Sequence, residues 1–194
     1  MSVTSATLLA RLRDARDDDA WGRLNDLYTP LIRSWAVRLG VRGSDADDLT
    51  QDVLAVVVRR FPEFVHPERP GAFRGWLRAI AANCAREAWR ARKVAPRAPG
   101  GTDFGSYLAR LEDPADDLSR EWDRQHDVYV TRRLLERIKP DFEPKTWELF
   151  QGFVLEGRAA EEVAAACGTT PNAVYIAKSR VLARLRDEAG GLLG

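Results

Sequence analysis

Apolar residues recur at three- and four-residue steps along most of this chain, the spacing that gathers them on one face of an α-helix, and no region is rich in strand pattern. Leu8, Leu9 and Leu12, then Trp21, Leu24, Leu27 and Tyr28, predict one or two helices over Ser5 to Tyr28. Pro30 suits the first turn of a further helix over Leu31 to Leu39, with Gly40 as its C-terminal cap. Ser44 with Asp47 three residues on is spaced as a capping box and opens a helix that turns Val53, Val56 and Val57 inward and stops at Pro62. After the proline-punctuated loop Pro62 to Gly71, the residues Phe73, Trp76, Leu77, Ile80, Ala81, Cys84, Ala85 and Ala88 share one face of a helix over Phe73 to Lys93.

Beyond Lys93 the pattern fades into VAPRAPGGTDFGSYLARLEDPADD, whose prolines, glycines and acids predict an extended linker. Helical spacing resumes near Leu118 and runs through Trp122, Val128, Val130, Leu134, Leu135 and Ile138 to Pro140. Pro144 opens another helix with Trp147, Phe150, Phe153, Val154 and Leu155 apolar, closed by Gly157. Ala160, Val163, Ala164 and Cys167 then mark a short helix, Gly168 to Thr170 a tight turn, and Pro171 the start of a last helix capped by Thr170. The expected fold is all-α: two small helical domains, 1–93 and 119–194, joined by a flexible linker over 94–118, the C-terminal domain ending in a helix-turn-helix.

Composition adds little until charge is placed along the chain. The net charge is +1, from 30 basic and 29 acidic residues, yet residues 69–97 hold 8 basic side chains and 1 acidic one. Such a block in a near-neutral chain points to an anionic partner met at one place. No apolar run is long enough to span a bilayer and Met1 to Ala10 lacks a basic flank, so a soluble, cytoplasmic protein without membrane contact is expected. The two cysteines, Cys84 and Cys167, lie among alanines on apolar faces and read as buried free thiols; with His66 and His126 at no ligand spacing, no metal is expected.

Three faces carry candidate chemistry. Opposite the core face of the 73–93 helix, Arg74, Arg78, Arg86 and Arg90 form a drifting stripe with Trp89 among them and Asn83 at its border. Guanidinium groups, an aromatic ring and an amide suit single-stranded nucleic acid, which asks for phosphate neutralisation, a stacking platform and a base-edge partner. The stripe is equally readable as a solvated face, with Trp89 packed under the following loop. Asp45, Asp48, Gln51 and Asp52 line the outer side of the preceding helix, either as a docking strip or simply as acids complementing the helix dipole. In the last helix Val174, Ala177, Val181 and Leu185 point inward, leaving Asn172, Tyr175, Ile176, Ser179 and Arg180 outward, where a recognition helix meets a major groove or a scaffold helix meets water. There is no GxxxxGK, GxSxG or HExxH, and neither an enzymatic activity nor a cofactor is expected.

DADDLTQDVL at 45–54, GAFRGWLRAIAANCAREAWR at 71–90 and EGRAAEEVAAACGTTPNAVYIAKSRVLARLR at 156–186 together resemble the extracytoplasmic-function group of bacterial sigma-70-type sigma factors. The resemblance implies a subunit that binds core RNA polymerase, reads a −35 promoter element as duplex and opens the −10 element. It implies polymerase docking by Asp45, Asp48, Gln51 and Asp52. It implies a flipped base held by Asn83 and the Pro62 to Gly71 loop, with Arg74, Arg78, Arg86, Trp89 and Arg90 around the melted strand, and −35 contacts from Asn172, Tyr175, Ile176, Ser179 and Arg180. Members of the group often pair with a separate anti-sigma protein, an expected further partner. A stand-alone helix-turn-helix regulator, binding duplex operator without polymerase, is the competing expectation; it leaves the acidic strip and the basic helix without a shared purpose.

Overall fold

The computed structural model describes residues 7–64, 70–92 and 103–193, and among these every regular element is helical. They fall into two compact units, Met1–Val130 with Gly191–Gly194, and Thr131–Gly190.

In the first unit, α1 (Leu8–Arg11) leads into α2 (Asp18–Arg38), whose N-cap Asp17 accepts from the Ala20 amide at 3.0 Å and from Arg11 at 2.7 and 2.8 Å. The Arg11 guanidinium, with the Ala20 amide, holds the Asp17 carboxyl below its ordinary range. Pro30 does not start a helix as its sequence context suggests; it lies inside α2. Its ring is exposed, while Leu27, Tyr28, Leu31 and Ile32 on either side are buried, so burial of one unbroken apolar stripe outweighs the backbone bond that proline removes.

Helix α3 (Ser44–Arg60) packs on α2, and α4 (Ala72–Arg92) on α3. The capping box does not form: Gly43 is the N-cap, Ser44 already lies in the helix, and Asp47 pairs with Arg33 of α2 at 2.6 Å. A 3-10 turn, Phe61–Glu63, ends α3 at Pro62 as expected. Around it Trp21, Tyr28, Phe61, Phe64, Phe73 and Trp76 meet mostly edge to face, with centroids 4.8–6.5 Å apart.

The expected linker 94–118 is not an extended segment where it is described. Asp103 caps α5 (Phe104–Glu112) by accepting from the Ser106 amide at 3.1 Å. Phe104, Leu108 and Leu111, at helical spacing, are buried where α5 lies on α4. Helix α6 (Asp117–Ile138) starts where renewed patterning places it, but the division between units falls after Val130 instead of at residue 119. The reason is packing: Trp122 stacks on Trp35 at 3.6 Å, and His126 Nε2 lies 3.1 Å from the Tyr28 hydroxyl, all four side chains buried.

The second unit begins within α6, passes a 3-10 turn at Lys139–Asp141, and continues through α7 (Pro144–Phe150) into a π turn, Gln151–Leu155. The π turn slips the apolar register, leaving Val154 and Leu155 exposed although they continue the pattern of Trp147 and Phe150. It also brings backbone close to α8 (Ala160–Ala166): a Cβ at Gly152 would sit 3.1 Å from a Val163 methyl. Helix α9 (Pro171–Ala189) follows a turn in which Gly168 takes φ +60°, open to glycine at no steric cost. Leu149, Ala160, Val163, Ala164, Val174 and Ala177 form the core that α7, α8 and α9 share.

Candidate nucleic-acid interface

The core face of α4 is as expected: Phe73, Leu77, Ile80, Ala81, Cys84 and Ala85 are buried, with Trp76 and Ala88 half-buried. Burial, helped by the Glu87 and Asp52 carboxylates, pushes the Cys84 thiol up to about 11, leaving it protonated and unreactive at neutral pH. Cys167 is free as well but only half-buried, at the end of α8.

The opposite face departs from the simple outward stripe. Arg78 is only 5% exposed; it pairs with Asp123, donates to the Ser119 carbonyl at 3.3 Å and holds its guanidinium 5.9 Å from the Trp122 ring centre. Arg74 pairs with Asp127, while its Nε lies 3.3 Å from Asp123 without the alignment of a hydrogen bond. Burial raises the Asp127 carboxyl, but the His126 contact at 3.0 Å and Arg74 outweigh it, and the group sits below its ordinary value. Arg86 reaches Glu112 of α5 at 2.5 Å and donates to the Asn83 side-chain oxygen at 2.6 Å. Trp89 meets Phe104 edge-on at 5.5 Å, the packing beneath the following segment that the sequence left open. The helical geometry is therefore right and its surroundings are not: α5 and the first half of α6 supply carboxylates to three of the four stripe arginines. Asn83 and Arg90 remain exposed, and Arg90 has no ion pair among the described residues.

Those partner acids were not recognised in the sequence. Asp123 and Asp127 repeat the four-residue step of Arg74 and Arg78, which is the one available signal. Complementary ladders identify a contact only once the helices are known to be neighbours.

On α3, Asp45, Asp48, Gln51 and Asp52 are all exposed, as expected, along a helix whose buried side is Ala46, Leu49, Thr50, Val53, Leu54 and Val57. Of the Pro62 to Gly71 loop, where a base pocket is expected, residues 65–69 lie outside the described residues, and only Pro62, Glu63, Phe64, Pro70 and Gly71 are described.

Helix α9 follows the sequence reading closely. Thr170 accepts from the Ala173 amide at 3.3 Å, Pro171 occupies the first turn, and Val174, Ala177, Val181 and Leu185 are buried. Asn172, Tyr175, Ile176, Ser179 and Arg180 are all exposed, and Arg180 makes no ion pair among the described residues. Farther along, Arg184 is held by Asp141 at 2.9 Å and Glu188 at 2.8 Å. Among the described residues no group of His, Cys, Asp and Glu is placed to hold a metal ion, and no helix is long and apolar enough to cross a membrane.

Residues 24–94, which span most of α2 and all of α3 and α4, match the family described as Sigma-70 region 2. Over 185 residues the chain is 29% identical to the RNA polymerase sigma factor CarQ of Myxococcus xanthus, covering 95% of this chain and 97% of that protein. It is 30% identical over 185 residues to the ECF RNA polymerase sigma factor SigD of Mycobacterium tuberculosis, covering 90% of this chain and 79% of that one. The RNA polymerase sigma factor NccH of Alcaligenes xylosoxydans xylosoxydans is 28% identical over 177 residues, with 91% and 90% covered. With the region 2 match on α2 to α4 and a 30% identical ECF sigma factor aligned over 90% of this chain, the chain belongs to the ECF group of RNA polymerase sigma factors.

Proposed function

We propose that this sigma factor binds core RNA polymerase through the exposed acidic strip of α3, reads a −35 duplex with the outer face of α9, and engages the melted −10 strand at α4. The exposed face of α9 carries this division of labour: five outward side chains able to meet a groove, backed by a buried apolar face that fixes their orientation. On α4, Asn83 and Arg90 are accessible to a single strand directly. Arg74, Arg78 and Arg86 can join them only where phosphate replaces Asp123, Asp127 and Glu112, and Trp89 only where it parts from Phe104. Extruding a base costs a few kcal/mol, so duplex promoter should bind the protein alone poorly, with polymerase contacts supplying the difference. A separate anti-sigma protein would act by covering the α3 strip or the α9 face.

The test is run-off transcription by bacterial core polymerase on genomic fragments, with and without this protein. Defined new start sites that require the protein are expected. Absence of new starts, together with tight binding of duplex by the protein alone, would instead establish a stand-alone operator-binding regulator.

A further inference from the structure

Two of the five outward positions on α9 are large and apolar: Tyr175 is 48% exposed and Ile176 51%. Asn172 lies one turn before them and Ser179 one turn after, so the four make one continuous strip with polar ends and an apolar centre. Tyr175 is held in place, its ring edge-on to Phe153 at 5.4 Å and 90°, with Lys178 Nζ 5.4 Å from the Phe153 ring centre. The strip sits in a basic setting: residues 171–185 contain no carboxylate, and Lys178 and Arg180 have no ion pair among the described residues, whereas Arg184 farther along is taken up by Asp141 and Glu188. An apolar strip flanked by unopposed positive charge suits a surface that is anionic at its edges and offers apolar groups within. The DNA major groove is such a surface, and the apolar group it displays is the C5 methyl of thymine.

We infer that Tyr175 and Ile176 read thymine methyl groups, so that the −35 element of this sigma factor is specified partly by apolar contact and contains thymine opposite these two residues. This rests on reading α9 as the −35 helix. Asn172, Ser179 and Arg180 supply hydrogen bonds around the contact, while Tyr175 and Ile176 exclude water from the methyl and distinguish thymine from cytosine on its own strand.

The experiment uses holoenzyme assembled from core polymerase and the full chain, on a promoter mapped by run-off transcription. Each −35 thymine is replaced singly by deoxyuridine, which removes the methyl and keeps base pairing and every groove hydrogen-bonding group. Promoter affinity is expected to fall about fourfold at one or two positions, the worth of one buried methyl. In Ile176→Ala or Tyr175→Ala the same replacement should cost nothing further. Both residues are half-exposed, and an unchanged helical circular dichroism spectrum verifies that the variants fold. Uracil substitution without effect at every −35 thymine, or a penalty unchanged in both variants, overturns the inference while transcription from the promoter upholds the sigma-factor reading. Promoter affinity left intact by both Ile176→Ala and Tyr175→Ala likewise overturns the inference. Indifference to any base change in the −35 duplex overturns the assignment of α9 itself.

Discussion

Arg78 and Arg90 are three helical turns apart on α4, yet their surroundings give them different roles. Arg78 is buried against Asp123, the Ser119 carbonyl and Trp122, so Arg78→Ala should destabilise the fold by roughly 3 kcal/mol, the cost of leaving a partly buried carboxylate short of its partner. Arg90→Ala, at an exposed site, should change stability by less than about 0.5 kcal/mol and lower only binding to single-stranded −10 DNA. Urea denaturation of both variants measures the difference; equal stabilities would mean that the Asp123 pairing contributes little. Asn83, exposed and oriented by Arg86, should act at melting: Asn83→Ala is expected to slow promoter opening more than it weakens initial binding, as followed by a fluorescent base analogue in the −10 element. Arg180→Ala should weaken promoter binding by about 1–3 kcal/mol if it contacts a base edge, with the loss confined to promoters matching that base.

At the scale of elements, α2 and α5 show how far local sequence signals are overruled. Pro30 occupies an exposed position inside α2, where it removes one backbone hydrogen bond. Pro30→Ala should therefore raise stability, on the order of 1–3 kcal/mol, and a fall in thermal midpoint would show that α2 needs the bend proline imposes. Phe104, Leu108 and Leu111 have the spacing of a short amphipathic helix, yet the surrounding glycines, prolines and acids predict an extended linker there, and the structure corrects that expectation. At α9 every signal agreed: Thr170 as cap, Pro171 in the first turn, Gly168 in the preceding turn and a four-residue core step, and the structure follows each of them. Local chemistry suffices there because capping and turn geometry involve residues close in sequence.

For the whole molecule, acid stability follows from carboxylates whose ordinary value is depressed by folding. Asp127 is the partly buried example, held down by His126 and Arg74 against the opposing effect of burial. Such a group stabilises the fold fully above its unfolded value of 3.8, and that contribution is lost as pH falls through this value toward the lower folded one. Stability against urea should thus decline as pH drops below about 4, and in Asp127→Asn it should start lower and decline less steeply. An equal slope in the variant would locate the acid sensitivity elsewhere, for example at Asp17 under Arg11.

The sequence by itself determined the all-α class, the buried faces of α3, α4 and α9, the exposed strip of Asp45, Asp48, Gln51 and Asp52, and membership of a sigma-factor group. The first three follow from helical periodicity, and the last from three motifs spread along the chain at 45–54, 71–90 and 156–186. Only the tertiary structure decided what lies against the outer side of α4. Asp123 and Asp127 are some fifty residues from Arg74 and Arg78, and Glu112 is 26 residues from Arg86. Helical spacing shows which side chains share a face, but not which distant face covers them. That choice was made by the burial of Trp35, Trp122, Tyr28 and His126 in one core, which places the first half of α6 on α4 and brings carboxylates to the arginines.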